Sequence, residues 1–258
     1  KVYDLMDNNF VNLSAFDDQE KAVEVFKKYD KLSLPVVDSS GVLIGIVTVD
    51  DVLDVAEEEA TEDIQKLGAV SALEDSYVDT TITQMIKKRV GWLAVLFISG
   101  SLTASAIGIF EAELQKALVL SLFIPLVIAS GGNSGSQAAT LVTRALSLGE
   151  ITIGDWWSVM KKEFLTGLFL GLILAVIGFF RIAILELLNI SHLDYWVLIS
   201  LSVSTALVGV VLWGTFVGSM LPLLLKRLGF DPATSSAPFV STLVDVTGII
   251  IYFTCAAI

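Results

Sequence analysis

Cysteine and histidine are almost absent from this chain of 258 residues. The single cysteine, Cys255, lies in an apolar run, so the chain can build neither a disulfide framework nor a cysteine-based metal site. The single histidine, His192, excludes histidine-rich metal sites, and no nucleophile–base pair is visible, so catalysis is not expected. Basic residues are scarce: 16 Lys and Arg stand against 28 Asp and Glu, a formal net charge of −12. Such a surface repels nucleic acid, which is excluded as a partner. The sequence begins at Lys1 with no signal-like segment before its first strand, and the expectation is of a piece whose upstream part lies elsewhere.

Apolar residues are abundant, at 54% of the chain, and the mean hydropathy is +0.76. Those values lie far from an ordinary soluble domain, and several runs are long enough to cross a bilayer. Charge is segregated. Residues 1–85 carry 19 acidic and 6 basic residues, and residues 86–258 carry 9 and 10. An acidic head is therefore joined to a nearly neutral apolar body.

The head, residues 1–55, reads as a small α/β unit in the order helix, strand, turn, strand, helix. Apolar residues at Ala22, Val23, Val25, Phe26 and Tyr29 have helical spacing, while the runs "LPVVD" and "VLIGIVTVD" are β-branched and flank the turn "DSSG". Residues 56–88 form an acidic connector, helical in pieces with a break near Gly68. Residues 89–258 form a membrane domain with spans near 90–110, 117–146, 163–188, 195–225 and 237–258. The predicted fold class is thus a polytopic α-helical membrane protein with five transmembrane helices, preceded by a small cytosolic α/β unit and a connector helix.

Five spans put the termini on opposite sides. With the head inside, the inner ends hold Lys87, Lys88, Arg89, Arg144, Lys161, Lys162, Lys226 and Arg227, and the outer side holds Lys116, with Arg181 near the outer end of the third span. The positive-inside rule then makes the head cytoplasmic and the C-terminus external, in a plasma (inner) membrane. Trp156 and Trp157 in "GDWW" suit the inner interface.

The chemistry-bearing residue that stands out is Asp245, in "STLVDVTGIII". A lone carboxylate at mid-span costs several kcal/mol, about 2.5–3.5 on insertion scales, and such residues face a water-filled path or a partner. Pairing with Arg181 or Arg144 is the alternative. Ser241, Asp245 and Gly248 fall at i, i+4 and i+7, on one face. A second unusual stretch is Ser130–Thr140, "SGGNSGSQAAT". Its small residues, Gly131 and Gly135 or Ser130 and Ser134, fit close helix packing. Packing does not account for Asn133, Ser136, Gln137 and Thr140, which share another face and in lipid would each need a partner. Glycine-rich unwinding there could also bare backbone carbonyls. Neutral oxygens with one carboxylate per chain make a hard-cation site. Magnesium suits it, because it keeps several waters and takes one or two carboxylates. Two chains about a symmetry axis would bring two Asp245 side chains together, and a divalent ion would relieve their repulsion.

The head carries its own acidic run: Asp50, Asp51, Asp54, Glu57, Glu58, Glu59, Glu62 and Asp63, with no base among them. A solvated helix face is one reading. However, like-charge pairs such as Asp50–Asp54, Asp54–Glu58 and Glu58–Glu62 destabilise a helix unless cations screen them, which makes a cytosolic metal sensor the other. In "GIVTVDD", Thr48 and Asp51 could hold a ribose, or could start the following helix as an N-cap.

The run "LPVVDSSGVLIGIVTVDDVLDV" resembles the end of a CBS domain. The five spans with "SGGNSGSQAATLVTRAL" and "APFVSTLVDVTGIIIYF" are similar to the membrane domain of the MgtE magnesium channel family. The resemblance implies a homodimeric Mg2+ channel in the lipid bilayer, lined by the second and fifth spans and closed by cytosolic Mg2+ at the CBS and connector acids. It carries the pore carboxylate to Asp245 and a pore carbonyl to Ser241. It carries pore-facing positions to Asn133, Ser136 and Thr140, with Ser136 standing where some relatives have Asn. The sensor falls on Asp51, Asp54, Glu58, Glu59 and Glu62. Because some relatives bind ATP at the CBS pair, Thr48 and Asp51 become nucleotide candidates. Only one CBS-like repeat is visible where the family has two and an acidic N-terminal domain. Two alternatives fit the same residues: an alternating-access divalent cation transporter or exporter, and a membrane-anchored nucleotide sensor without ion flux.

Overall fold

A computed structural model describes residues 10–110, 118–188 and 195–256. Lys116 and His192, and the spans' expected edges at 117 and 257–258, lie outside the described residues. The chain divides into two units, residues 1–64 and 65–258.

The first unit places strands β1 (Leu13–Ser14), β2 (Ser33–Val37) and β3 (Leu43–Thr48) in one sheet in the order β1-β2-β3, with β1 parallel to β2 and β3 antiparallel to it. Helix α1 (Gln19–Tyr29) precedes β2 and α2 (Val49–Leu67) follows β3. Asp18 starts α1 by accepting from the Glu20 N–H, and Asp30 ends it in the left-handed region. The β2–β3 turn is built by Asp38, whose carboxylate accepts from Ser40 N at 2.8 Å and Val42 N at 2.9 Å, with Gly41 at φ +77°. Leu13, Phe26, Leu34 and Val52 form the small core. The helix–strand–turn–strand–helix order expected for the head is present, with β1 as an additional strand.

Among the described residues the second unit contains five helices long and apolar enough to cross a membrane. They are α3 (Ile82–Ile109), α4 (Ile124–Ser147), α5 (Trp156–Leu187), α6 (Trp196–Arg227) and α7 (Ala237–Ala256). The expected break near Gly68 is there: α2 stops at Leu67, and α3 begins only at Ile82, behind a capping box made by Thr81 and Gln84. A 3-10 turn at Leu118–Phe123 leads into α4, and Pro125 occupies the first turn, where its missing N–H leaves no bond unmade. Helix α5 begins earlier than the expected third span, so Trp156 and Trp157 lie in its first turn.

Helix α6 is central. Val203, Ala206, Val210 and Val211 are fully buried, and α4, α5 and α7 pack around it. Glycines set these contacts. A Cβ on Gly214 or Gly218 of α6 would overlap the carbonyls of Gly131 and Gly135 of α4, and one on Gly171 of α5 would come within 2.9 Å of the Val208 Cα. The small residues therefore let backbone touch backbone where apolar side chains gain nothing from leaving lipid. Helix α3, the least buried of the five, docks on α7 through Trp92 against Phe239 and Phe110 stacked on Phe253. Ser130–Thr140 is continuous α-helix, so of the two readings of its glycines, packing and local unwinding, packing is the one present. Close packing uses them without breaking the ladder.

Gly218→Ala should cost about 1–3 kcal/mol, the range for overpacking a tight contact, seen as a lower melting temperature in detergent. Gly91→Ala in α3, where a Cβ would meet nothing within 4 Å, should be neutral or stabilising.

Candidate cation site in the membrane unit

Two helices bring the site together. Ser236 accepts from the Phe239 N–H at 3.3 Å and so starts α7, with Pro238 in its first turn. At the other end, the buried Tyr252 hydroxyl donates to the Leu120 carbonyl at 2.7 Å. Helix α7 is thus pinned at this end against the turn that leads into α4. The facing residues run Gly131 to Val244, Gly132 to Ser241 and Asp245, and Gly135 to Val240, with Ser136 donating to the Ala237 carbonyl at 2.9 Å. The two helices are therefore antiparallel.

Gly132 is the residue whose role the sequence did not single out. A Cβ there would come 2.5 Å from Ser241 Oγ and 3.5 Å from Asp245 Oδ1. Its missing side chain is the space the two polar groups occupy. Gly248, expected on the same face, is buried and packs beside Ile128 and Val210, one turn further along. Among the described residues Asp245 has no ion pair and no hydrogen-bond partner, so the alternative of a pair with Arg181 or Arg144 is not seen. Its carboxylate is half-buried.

The polar face of α4 lies alongside. Asn133, Gln137 and Thr140 are exposed and Ser136 is half-buried. Thr140 donates to the Ser136 carbonyl at 2.9 Å, and Ser136 is committed to Ala237, so these two hydroxyls present lone pairs and no free proton. Asn133 and Gln137 make no side-chain hydrogen bond among the described residues. The other serines serve packing. Ser134 is buried and shares a hydrogen bond of 2.7 Å with Thr215 of α6, and Ser130 donates to Leu126 in its own helix. One carboxylate with a row of neutral oxygens is a donor set for a hydrated hard cation, and one chain supplies too few protein ligands to strip such an ion of water.

In the first unit the acids Asp50, Asp51, Asp54, Glu57, Glu58, Glu59 and Glu62 all lie on α2. Among the described residues no three His, Cys, Asp or Glu side chains converge as a metal cage. The acids do crowd one another across elements. Glu20 of α1 is held above the usual carboxylate range by burial first and then by repulsion from Glu59, Asp63, Glu24 and Asp18. Gln19 donates to Glu59 at 2.7 Å. The Thr48 hydroxyl donates to Asp51 at 2.8 Å, the N-terminal arrangement of α2 that was one of two readings. Asp51 also lines a cavity of about 340 Å³ with Ser14, Val36 and Val47, within the size range of ligand pockets.

A helical membrane unit with a carboxylate inside one of its apolar helices, in a chain with an acidic α/β head, defines a class of integral membrane proteins. Comparison narrows the class. The divalent cation transporter family MgtE matches residues 124–255, and the CBS domain family matches residues 2–58. The chain belongs to the MgtE divalent cation transporter family. It is 41% identical over 256 residues to the magnesium transporter MgtE of Thermus thermophilus, covering 99% of this chain and 55% of the relative. It is 34% identical over 253 residues to that of Bacillus subtilis (98% and 54%) and 32% over 256 residues to that of Enterococcus faecalis (99% and 54%). The chain spans about half the length of the curated relatives it matches.

Gly132→Ala should lower the melting temperature of the chain by the equivalent of about 1–3 kcal/mol, and Ser241→Ala, by removing the hydroxyl it strikes, should restore much of that loss. A double-mutant cycle with no coupling would place Ser241 elsewhere.

Proposed function

We propose that this chain is the pore-forming part of a magnesium-selective channel that imports Mg2+ and is closed by cytosolic Mg2+. One observation carries the reading: Asp245 sits inside a membrane span with no cation to pair it among the described residues, beside Ser241 and along the exposed polar face of α4. Hydrocarbon does not tolerate that face. A water-filled path between two copies, with α4 and α7 of each lining it, accounts for both features, and so the assembly is a homodimer. Two carboxylates across the axis repel, and a hydrated divalent ion between them replaces repulsion with attraction. The names of the relatives, magnesium transporters in three bacteria, support magnesium as the cargo.

The termini follow from the basic residues. Lys87, Lys88, Arg89, Arg144, Lys161, Lys162, Lys226 and Arg227 mark the cytoplasmic ends of the spans, which puts the acidic head inside and the C-terminus outside a plasma membrane. Closure uses the head. With no ion bound, the acids of α2 and Glu20 repel their surroundings; bound Mg2+ neutralises them and favours the closed arrangement by its tighter binding there. A route to the pore exists within the membrane unit: Lys66, in the last turn of α2, pairs at 2.7 Å with Asp231, which starts the turn Pro232–Thr234 just before α7. The cavity beside Asp51 makes an adenine nucleotide such as ATP the candidate second ligand of the head.

Asp245→Ala should abolish Mg2+ uptake into proteoliposomes while the dimer still assembles; normal flux in that variant would refute the pore. Neutralising Asp51, Asp54 and Glu58 together should leave conduction intact and weaken closure at high internal Mg2+. Single-channel currents distinguish a channel from an alternating-access carrier.

A further inference from the structure

At the end of the bundle where α5 begins and α6 ends, a groove of about 350 Å³ opens on the outer surface of the membrane unit. Ile153 and Trp156 form one wall. Phe216, Met220, Leu224 and Arg227, recurring along one face of α6, form the other. Of the lining residues Arg227 alone is charged. It is exposed, and it has no ion pair or hydrogen-bond partner among the described residues.

The groove's position in the bilayer follows from its elements. It uses the first turn of one span and the last turns of the next, so it lies at interface depth with its apolar floor reaching into the hydrocarbon. Trp156 and Trp157 mark that depth, with Lys161 stacked over the Trp157 ring at 5.0 Å. The neighbouring cations and anions are accounted for differently. Lys226 is turned inward to the Leu146 carbonyl at 3.3 Å. Asp155 is held by Thr152 N and Oγ1 at 2.8 and 2.7 Å, and Asp231 by Lys66 at 2.7 Å. Glu150 and Glu163 do not line the groove.

An apolar slot with a guanidinium at its headgroup end, unpaired among the described residues, matches one chemistry. We infer that this groove binds an anionic glycerophospholipid, with an acyl chain between Trp156 and Met220 and the phosphate on Arg227. A guanidinium offers a phosphate two parallel N–H donors, and basic pockets between membrane helices are recurrent sites for anionic headgroups. A zwitterionic lipid fits the slot but brings its own cation to the same place. The site is separate from Asp245 and independent of which ion the protein carries.

Native mass spectrometry of the full chain, equilibrated with equal phosphatidylglycerol and phosphatidylcholine, tests this. The wild type should retain phosphatidylglycerol about five-fold better, the worth of one interfacial cation. Arg227→Gln should bring that ratio close to one, Arg227→Lys should keep most of it, and Met220→Trp, which fills the slot, should reduce retention of both lipids. Equal retention by the wild type, or a ratio unchanged in Arg227→Gln, would overturn the inference. So would a Met220→Trp chain that loses its oligomer with lipid retention unaltered, since the groove would then belong to a second copy.

Discussion

Gly131 and Gly135 on α4 lie against Gly214 and Gly218 on α6 so closely that no side chain fits between the backbones. In a bilayer this is the contact that matters, because apolar side chains are as well solvated by lipid as by one another and only close packing discriminates. Against the locked pair, α7 sets Val244 and Val240 on Gly131 and Gly135 of α4 and Gly248 on Val210 of α6, with Gly132 facing Ser241 and Asp245.

Asp245 is the clearest beneficiary. Its carboxylate reaches a half-buried place because Gly132 leaves room for it and for Ser241, and because α7 is held at one end by the Ser136–Ala237 hydrogen bond and at the other by the Tyr252–Leu120 hydrogen bond. That frame holds in place a carboxylate that has no counter-charge among the described residues. The hydroxyls of Ser136 and Thr140 have their protons donated elsewhere, which leaves only oxygen lone pairs for any further partner.

Much of this was legible from residue order. The spans follow from apolar length, the head from β-branched runs around "DSSG", and the break after α2 from Gly68. Asp245 was conspicuous because a charge inside such a run is costly. Other features were not legible. The glycine stretch read as readily as an unwound segment as a packed one, since both use small residues, and only the partner helix, with its own Gly214 and Gly218 some eighty positions later, decides for packing. Gly132 carried no signal of its own, because a glycine that makes room for a polar side chain looks like any other. Thr48 and Asp51 were equally ambiguous: a hydroxyl and a carboxylate three apart serve a helix start or a ligand, and their 2.8 Å hydrogen bond shows the first while the cavity beside Asp51 leaves space for the second.

The sequence by itself determined what each segment can be. Hydropathy sets which helices enter a membrane, charge segregation sets which part stays in water, and the cost of a carboxylate inside an apolar span makes Asp245 stand out. Those are local properties, governed by transfer from water and by spacing along one helix. Which helix meets which, and so whether Asn133 faces outward or inward, whether Ser136 is free or bound to Ala237, and whether Asp245 finds an arginine, was decided only by tertiary structure. Such pairings depend on backbone approach between residues far apart in the chain, and that distance is set by the fit of two surfaces rather than by the composition of either.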